Sequence, residues 1–249
     1  MMIAETIRYR GFNGELVDAY LARPTGDGAF PSVVVIHHSP GWDDWTKEVV
    51  RRFAHHGYSS LCPNLFSRES IGLTLEQASS AVRRAGGVSD RRAIGDISAA
   101  VDYLRVQPTS NKKIGVIGFC SGGRLAYLVS CHLEIEAAVD CYGGSVVTDP
   151  EKLNVLHPIA PIDLTPQMSC PLLGLFGSED PHVPLEHVAI LEEALKHHEK
   201  TYEFYVYENT GHAFFCSTSE SYRVNAAIDG WTRILEFFGR QLASLEETS

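Results

Sequence analysis

The 249-residue chain contains 44% hydrophobic and 21% charged residues, and its formal net charge at pH 7 is -10. This length and composition predict one domain, residues 1–249, with a single substantial core. The acidic balance argues against a nucleic acid or an anionic membrane surface as partner, because both select clustered Lys and Arg side chains. The charged N-terminal segment resembles neither a signal peptide nor a membrane span, so we expect a soluble cytoplasmic protein, monomeric or homodimeric.

Six cysteines are scattered along the chain, at positions 62, 120, 131, 141, 170 and 216, with neither a CxxC pair nor a zinc-ligand spacing. Apart from Cys120, we interpret them as small buried side chains of a protein in a reducing compartment. The adjacent His37 and His38 lack the convergent partners that a metal site needs. The sequence therefore predicts no metal and no cofactor.

The first elements are predicted by hydrophobic periodicity. Alternation on both sides of Asn13-Gly14 predicts an antiparallel β-hairpin within residues 1–23. The continuous apolar run 31–36 predicts a strand buried on both faces, as in a parallel sheet. A helix over about 45–56 and a short strand over 58–62 follow.

Residues 63–88 form the least regular segment, for which we predict loop and short helix above one edge of the sheet. Strands and helices then alternate, as helix 90–107, the strand before Cys120, helix 121–131, strands 137–142 and 171–176, helix 184–200, strand 202–207 and a final helix containing 224–238. This order predicts an α/β fold, with a mostly parallel twisted sheet, helices on both faces and an N-terminal antiparallel hairpin.

A glycine-framed cysteine follows an apolar strand, in Gly118-Phe119-Cys120-Ser121-Gly122. A strand that turns sharply into a helix presents a nucleophile only if the residues two before and two after it are very small. Gly118 and Gly122 meet that requirement for Cys120. Ser121 does not meet it, because the residue two before it is Phe119. The pattern predicts a nucleophile elbow that carries a thiol.

An acid and a base follow later strands. Asp180 comes just after the strand that ends at Gly177, and His212 comes after the last strand. Reactive groups collect at the carboxyl ends of parallel strands, and the order nucleophile, acid, histidine is typical of α/β-hydrolases. Taken singly, the three residues could be a buried thiol in a turn, a helix cap and a loop histidine, but together they favour a triad. Glu179 is the alternative acid and His182 the alternative base.

Each member of this trio has a chemical task. A free thiol is mostly protonated at neutral pH, so an imidazole must accept its proton and a carboxylate must hold that imidazole in the right tautomer. An anionic tetrahedral intermediate also needs two N–H donors. We expect them to be the backbone N–H groups of Ser39 and Ser121. His37 and His38 could orient the loop that contains Ser39.

Further segments resemble the dienelactone hydrolase family of α/β-hydrolases over most of the chain, namely residues 57–58, 62–66, 95–104, 118–123, 177–184 and 211–214. The resemblance implies hydrolysis of a small-molecule ester or lactone, without a cofactor, through a Cys-His-Asp triad and a thioester acyl-enzyme. It carries the three catalytic roles to Cys120, His212 and Asp180.

The activating group departs from the family's pattern. Founding members have a glutamate after the third strand that contacts the resting thiol and helps to generate the thiolate. His38 occupies that place here. We therefore expect His212, alone or with help from His38, to deprotonate Cys120.

The substrate-binding groups depart from the pattern as well. Founding members bind a substrate carboxylate with arginines, and the one four residues beyond the catalytic histidine is replaced by Cys216. Three arginines of the irregular segment could substitute, namely Arg68, Arg83 and Arg84. Aromatic residues are predicted near the mouth of the site, at Trp42, Trp45, Phe214 and Phe215. They predict a more apolar pocket and an uncharged ester, lactone or thioester as substrate.

Two other functions fit the same sequence. A broad carboxylesterase or thioesterase would use the same elbow on many esters. A non-catalytic binding member of the fold would be expected to lack one of the three catalytic residues, all of which are present. The sequence therefore favours the hydrolase of a small lactone or ester.

Overall fold

The computed structural model of the chain describes residues 1–243. The predicted domain, 1–249, extends further, and positions 244–249 lie outside the described residues. The strands are β1 (Met2–Arg10), β2 (Leu16–Pro24), β3 (Phe30–Ile36), β4 (Ser59–Pro63), β5 (Ser110–Phe119), β6 (Ala137–Cys141), β7 (Leu172–Gly177) and β8 (Tyr202–Tyr207). They form one sheet in the order β1-β2-β4-β3-β5-β6-β7-β8.

The sheet is antiparallel at one edge and parallel elsewhere. β1 pairs with β2 and β2 with β4 in antiparallel register, whereas every pair from β4-β3 to β7-β8 is parallel. The hairpin turns through Phe12–Gly14, where Asn13 adopts a positive φ of 55°. The predicted mostly parallel sheet with an antiparallel hairpin is confirmed.

Helices cover both faces of the sheet. They are α1 (Asp44–His55), α2 (Leu75–Arg84), α3 (Asp90–Arg105), α4 (Ser121–Ser130), α5 (Leu185–His197) and α6 (Val224–Leu242). Side chains of α3, α4 and α5 pack into one hydrophobic core, and those of α1 and α6 pack into the core on the opposite face. No helix within residues 1–243 is long and apolar enough to cross a membrane.

The irregular segment contains α2, the short helix that the sequence predicted there. Its N-terminus has a capping box, in which the Thr74 side chain accepts from the Gln77 N–H and the Gln77 side chain accepts from the Thr74 N–H. The buried residues of α2 are Ala78, Ser79 and Val82, which recur at the spacing of one helix face. This face lies toward the carboxyl ends of the strands, since Ser79 contacts the loop after β3.

One arginine of the same segment stabilises the fold instead of binding a ligand. Arg68 donates from both terminal nitrogens to Asp96, at 2.5 and 2.9 Å, and from Nε to Glu15 at 3.1 Å. The Asp96 side chain is fully buried and also accepts from the Phe12 N–H. Arg68 therefore joins the irregular segment to α3 and to the hairpin turn, and its guanidinium is occupied.

We predict that Arg68→Ala destabilises the protein. The substitution leaves the buried Asp96 carboxylate without its charged partner, which typically costs about 3–5 kcal/mol. Denaturant unfolding followed by circular dichroism measures this change in the free energy of unfolding. Arg84→Ala, on the exposed side of α2, is the control and should change it by less than about 0.5 kcal/mol. Equal effects of the two substitutions would contradict the structural role of Arg68.

Candidate active site

β5 and α4 meet at a turn that only small neighbours permit. Cys120 has φ 56° and ψ -119°, a backbone conformation that L-residues rarely adopt. A Cβ atom on Gly118 would lie 1.8 Å from the Gly122 carbonyl oxygen, and one on Gly122 would lie 2.3 Å from the Ile36 carbonyl oxygen. The structure thus forms the strained strand-to-helix turn at Cys120 and explains both glycines by close backbone approach.

Asp180 and His212 form a hydrogen-bonded pair. The Asp180 carboxyl is fully buried, and its Oδ2 accepts from Nδ1 of His212 at 2.7 Å. Its Oδ1 accepts from the N–H groups of His182 and Val183, at 2.8 and 3.2 Å. Because Nδ1 donates to the carboxylate, Nε2 is the ring nitrogen left to act on the Cys120 thiol, whose ionisation His212 favours. The structure therefore brings the three residues of the predicted triad together.

This arrangement favours a charged sulfur. Burial opposes ionisation of Cys120, but the hydrogen bond and charge of His212 and the Ser121 N–H outweigh it and hold the thiol pKa below its ordinary value. Burial also lowers the pKa of His212, yet its bonds to Asp180 and Cys120 raise that pKa to about 9. Buried thiols without such partners behave in the opposite way, since burial raises the pKa of Cys131 to about 11 and that of Cys170 to about 12.

The surroundings of Asp180 also favour its ionised form. Burial alone would raise the pKa of Asp180, but the hydrogen bond and charge of His212, together with the two backbone N–H donors, keep it below the ordinary value. An ionised Asp180 then stabilises a protonated His212. The directions of the three pKa shifts thus favour a carboxylate, an imidazolium and a thiolate.

The loop after β3 lies beside the sulfur. Oγ of Ser39 is 4.0 Å from Sγ of Cys120 and 3.4 Å from Oγ of Ser121. The Ser39 carbonyl accepts from the Ser79 hydroxyl at 2.8 Å. Within residues 1–243, the Ser39 N–H has no acceptor. The two N–H groups expected to bind an oxyanion, those of Ser39 and Ser121, therefore belong to residues that border the thiol.

His37 anchors this loop. It is 3% exposed, and its Nδ1 lies 2.8 Å from the His38 carbonyl oxygen, to which it donates. Its Nε2 accepts from the Leu65 N–H at 3.2 Å. Because burial lowers the pKa of His37 to about 4, the ring is neutral and can serve as donor at one nitrogen and acceptor at the other. His37 therefore ties the loop after β3 to the segment after β4, a structural role.

His38 lies elsewhere than the sequence predicted. Its Nε2 is 2.8 Å from Oδ2 of Asp43, and its ring packs on Trp45 with the ring centres 5.0 Å apart. Oδ1 of Asp43 caps α1 by accepting from the Thr46 N–H. No hydrogen bond joins His38 to Cys120 in the described part of the chain. The Asp43 carboxylate, at the start of α1, binds the His38 imidazole instead. We therefore do not propose an activating role for His38.

The aromatic residues predicted near the mouth are also placed differently. Phe214 and Phe215 are 0% and 2% exposed, and they pack with Tyr142 in the core under α6. Trp42 is half-buried against the same core and lies under the ammonium of Lys47. None of these aromatic rings lines the cavity beside Cys120. The more apolar pocket that they predicted is therefore not formed by them.

A cavity of about 590 Å³ opens next to the elbow. Its wall near the thiol includes His37, Ser39 and Ser121, and its apolar wall is formed by Leu65, Phe66, Val82 and Leu125. Basic side chains complete it, namely Arg83, Arg124, Lys152, His157, His182 and His187. His182, the alternative base, packs on His212 with ring centres 4.8 Å apart. The cavity lining thus combines apolar and basic side chains with the carboxylate of Asp149, which pairs with Lys152.

The two arginines of this cavity differ in their partners. Arg124 donates from both terminal nitrogens to Asp90, at 2.6 and 3.0 Å, and Asp90 also contacts His157 at 3.0 Å. Arg83 donates from Nη1 to the Ser79 hydroxyl at 2.5 Å and has no carboxylate partner among the described residues. Arg124 is therefore neutralised, whereas the charge of Arg83 faces the cavity uncompensated.

Sequence reasoning missed Arg124, His157 and Ser79. The first two come from segments that the sequence shows as the helix after the elbow and as an irregular loop, with no spacing that relates them. Ser79 had a signal, because a serine four residues before an arginine on a helix places the two side chains on one face. Within residues 1–243, no group of three or more His, Cys, Asp or Glu side chains could hold a metal ion.

Comparison with known proteins relates this geometry to one family. Residues 17–242 match the model of the dienelactone hydrolase family. A relative from Methylorubrum extorquens, named "Putative carboxymethylenebutenolidase", is 32% identical over 225 residues, which cover 90% of this chain and 76% of the relative. A Bradyrhizobium protein named "Probable 2-oxo-3-(5-oxofuran-2-ylidene)propanoate lactonase" is 30% identical, with 90% of each chain covered.

Solved structures extend the comparison to the fold. A structure described as a "Putative Dienelactone Hydrolase" from Klebsiella pneumoniae superposes with a TM-score of 0.85 at 28% identity, covering 96% of this chain and 99% of that one. An acylaminoacyl peptidase from Pyrococcus horikoshii superposes with a TM-score of 0.75 at 18% identity, over 100% of this chain and 43% of the peptidase. The predicted α/β-hydrolase fold is confirmed.

We predict that His212→Gln raises the pKa of the Cys120 thiol. Because His212 stabilises the thiolate, the wild-type Cys120 should remain ionised at pH values below about 8.5, the ordinary thiol pKa. In the variant, Cys120 should ionise only at a higher pH. Iodoacetamide alkylation of Cys120, followed by mass spectrometry as a function of pH, measures this. At pH 7 we expect alkylation to slow about tenfold for each unit by which the pKa rises above the pH of the assay.

The control for this experiment is His182→Gln. The His182 ring contacts His212, but within residues 1–243 its side chain makes no hydrogen bond to Asp180 or Cys120. Its alkylation profile should match that of the wild type. An unchanged profile for His212→Gln would contradict the assigned source of the thiol's low pKa.

Proposed function

Because the chain belongs to the dienelactone hydrolase family, we propose that it hydrolyses a small lactone or ester with Cys120 as nucleophile, His212 as base and acid, and Asp180 as orienting carboxylate. One observation carries the proposal. Cys120 lies at the tip of a strained turn, and His212, which lowers the pKa of its thiol, donates from Nδ1 to the buried Asp180 carboxylate.

The first half-reaction follows from this geometry. The Cys120 thiolate attacks the carbonyl carbon of the substrate, and the carbonyl electron pair moves onto oxygen. The N–H groups of Ser39 and Ser121 stabilise that oxyanion. When the intermediate collapses, the ring or ester C–O bond breaks and His212 donates its proton to the departing oxygen. A thioester between Cys120 and the acyl group results.

The second half-reaction restores the enzyme. A water molecule attacks the thioester carbon while His212 accepts its proton. The C–S bond then breaks, and the sulfur leaves as the thiolate that the low pKa of Cys120 favours. Asp180 holds His212 in the required tautomer during both halves.

Arg83 favours a substrate with an anionic group. A guanidinium without a carboxylate partner, on the wall of the cavity that Ser39 and Ser121 also line, is suited to bind a carboxylate through two parallel hydrogen bonds. The uncharged substrate expected from the sequence depended on the arginine replaced by Cys216 and on aromatic rings, of which Phe214 and Phe215 lie in the core. We therefore propose a carboxylate-bearing lactone or ester, in agreement with the relative whose name specifies a propanoate.

We predict that Cys120→Ala lowers hydrolysis by at least about 10³-fold, because the covalent pathway requires the thiolate. Intact-mass spectrometry during turnover of a panel of lactones and esters should show an acyl adduct on the wild type and none on Cys120→Ala. Cys170→Ala removes a buried thiol and is the control, with adduct and turnover retained. Full activity of Cys120→Ala would overturn the proposed nucleophile.

We predict that Arg83→Gln raises KM for carboxylate-bearing esters about tenfold to a hundredfold, since a hydrogen bond to a charged group contributes about 1.5–3 kcal/mol. Neutral esters of similar size should be unaffected. Steady-state kinetics with matched pairs of esters measures this, with Arg84→Gln as the control on the same helix. Equal use of neutral and anionic esters by the wild type would instead indicate a broad carboxylesterase.

A further inference from the structure

One buried hydroxyl connects the basic side of the cavity to the loop beside the thiol. Ser79, on α2, is 2% exposed. Its Oγ lies 2.8 Å from the Ser39 carbonyl oxygen and 2.5 Å from Nη1 of Arg83. A carbonyl can only accept and a guanidinium can only donate, so the directions of both hydrogen bonds are fixed. Ser79 donates to Ser39 and accepts from Arg83.

We propose that Ser79 is a positioning residue that orients the oxyanion donor at Ser39 and the anion-binding guanidinium of Arg83 with the same hydroxyl. The inference rests on the proposed hydrolase function and extends it. Substrate recognition by Arg83 and carbonyl activation by Ser39 are joined through one atom of α2.

Ser39 is held through both of its flanking peptides. It lies between His38 and Pro40 in a loop outside the regular elements, and the φ of Gly41 is 103°. The Ser79 hydroxyl is the hydrogen-bond donor to the Ser39 carbonyl in the described chain. The Ser39 N–H lies in the peptide plane of the His38 carbonyl, which accepts from Nδ1 of His37 and from the Gly41 N–H, whereas the Ser39 carbonyl lies in the next peptide plane, toward Pro40. Ser79 therefore holds the C-terminal side of Ser39, and the two anchors together restrict the direction of its N–H. An oxyanion donor must be aimed before reaction if it is to be effective.

Arg83 depends on the same hydroxyl. Its guanidinium is on an exposed residue, and the contact with Ser79 is the one that holds it toward the cavity wall within residues 1–243. The spacing of four residues allows this contact within a single helix face. Loss of the hydroxyl would therefore free the arginine and the Ser39 carbonyl at the same time.

The same helix supplies a matched control. The Ser80 hydroxyl accepts from Nη1 of Arg84 at 3.1 Å, with the same spacing of four residues. This second pair faces solvent, and neither residue lines the cavity beside Cys120. Ser80→Ala thus removes an equivalent serine–arginine bond that has no connection to the oxyanion loop.

The experiment compares Ser79→Ala and Ser80→Ala in steady-state hydrolysis of one carboxylate-bearing ester and its neutral analogue. For Ser79→Ala we expect kcat to fall about tenfold on both esters. This loss is smaller than the roughly 10²- to 10³-fold loss that follows deletion of an oxyanion donor. We also expect KM to rise about fivefold or more on the anionic ester alone. Ser80→Ala should keep both parameters within about twofold of the wild type.

Two results would overturn the inference. One is a Ser79→Ala enzyme whose kcat and KM match those of Ser80→Ala. The other is an equal rise in KM on both esters, which indicates general loosening of α2. In Arg83→Gln, the further change Ser79→Ala should lower kcat but no longer alter KM for the anionic ester, because the arginine is already absent.

A folding defect and a failure of the proposed function are both distinguishable from these results. Thermal unfolding reports whether the Ser79→Ala variant is folded. If it is not folded, Ser79→Cys replaces it, because a thiol nearly preserves the side-chain volume but donates weakly, and this variant should also lower kcat. Cys120→Ala is assayed in parallel. If it remains active, the proposed nucleophile fails, whereas an inactive Cys120→Ala with an unaffected Ser79→Ala overturns only the role of Ser79.

Discussion

The left-handed backbone at Cys120 is the constraint on which the rest of the site depends. A residue with φ 56° at the end of β5 turns the chain directly into α4, so the sulfur projects at the start of a helix. The same turn places Gly122 against the Ile36 carbonyl, whose oxygen would lie 2.3 Å from a Cβ atom added to Gly122. This close approach brings the end of β3 to the elbow, and Ser39 follows three residues later. Cys120 and the loop that contains Ser39 are therefore adjacent for one steric reason.

Electrostatic matching decides which buried acid of the sheet is ionised. Asp140 lies within β6 and Asp180 follows β7, and both are buried, at 1% and 4% exposure. Asp140 accepts one hydrogen bond, from Gly143, and burial raises its pKa to about 7. Asp180 accepts two backbone N–H bonds and faces His212, so its pKa stays below the ordinary value despite burial. The hydrogen bond and charge of His212, more than the depth of burial, separate the pKa of Asp180 from that of Asp140.

Much of the fold and the arrangement at the elbow could be predicted from the sequence, because local patterns determine them. Alternation, apolar runs and small residues around Cys120 report on neighbours a few positions away, and the order of the strands then brings Asp180 and His212 together. Contacts between remote residues could not be predicted. The sequence shows Arg68 as a possible substrate-binding arginine, but Asp96, 28 positions away, binds its guanidinium. Phe214 follows His212 closely, yet a helix that begins at Val224 covers it and turns a predicted pocket wall into core.

Substrate recognition is the property that local sequence patterns describe least, and the two arginines of the cavity show why. Arg83 and Arg124 carry the same charge and line the same cavity, but Asp90 from α3 neutralises Arg124 and no described carboxylate meets Arg83. The charge presented to a substrate therefore depends on where α3 begins relative to α4, not on how many arginines the chain contains. Because Arg83 bonds to the hydroxyl that also holds Ser39, the helix that sequence periodicity defined least joins recognition to the chemistry of the elbow.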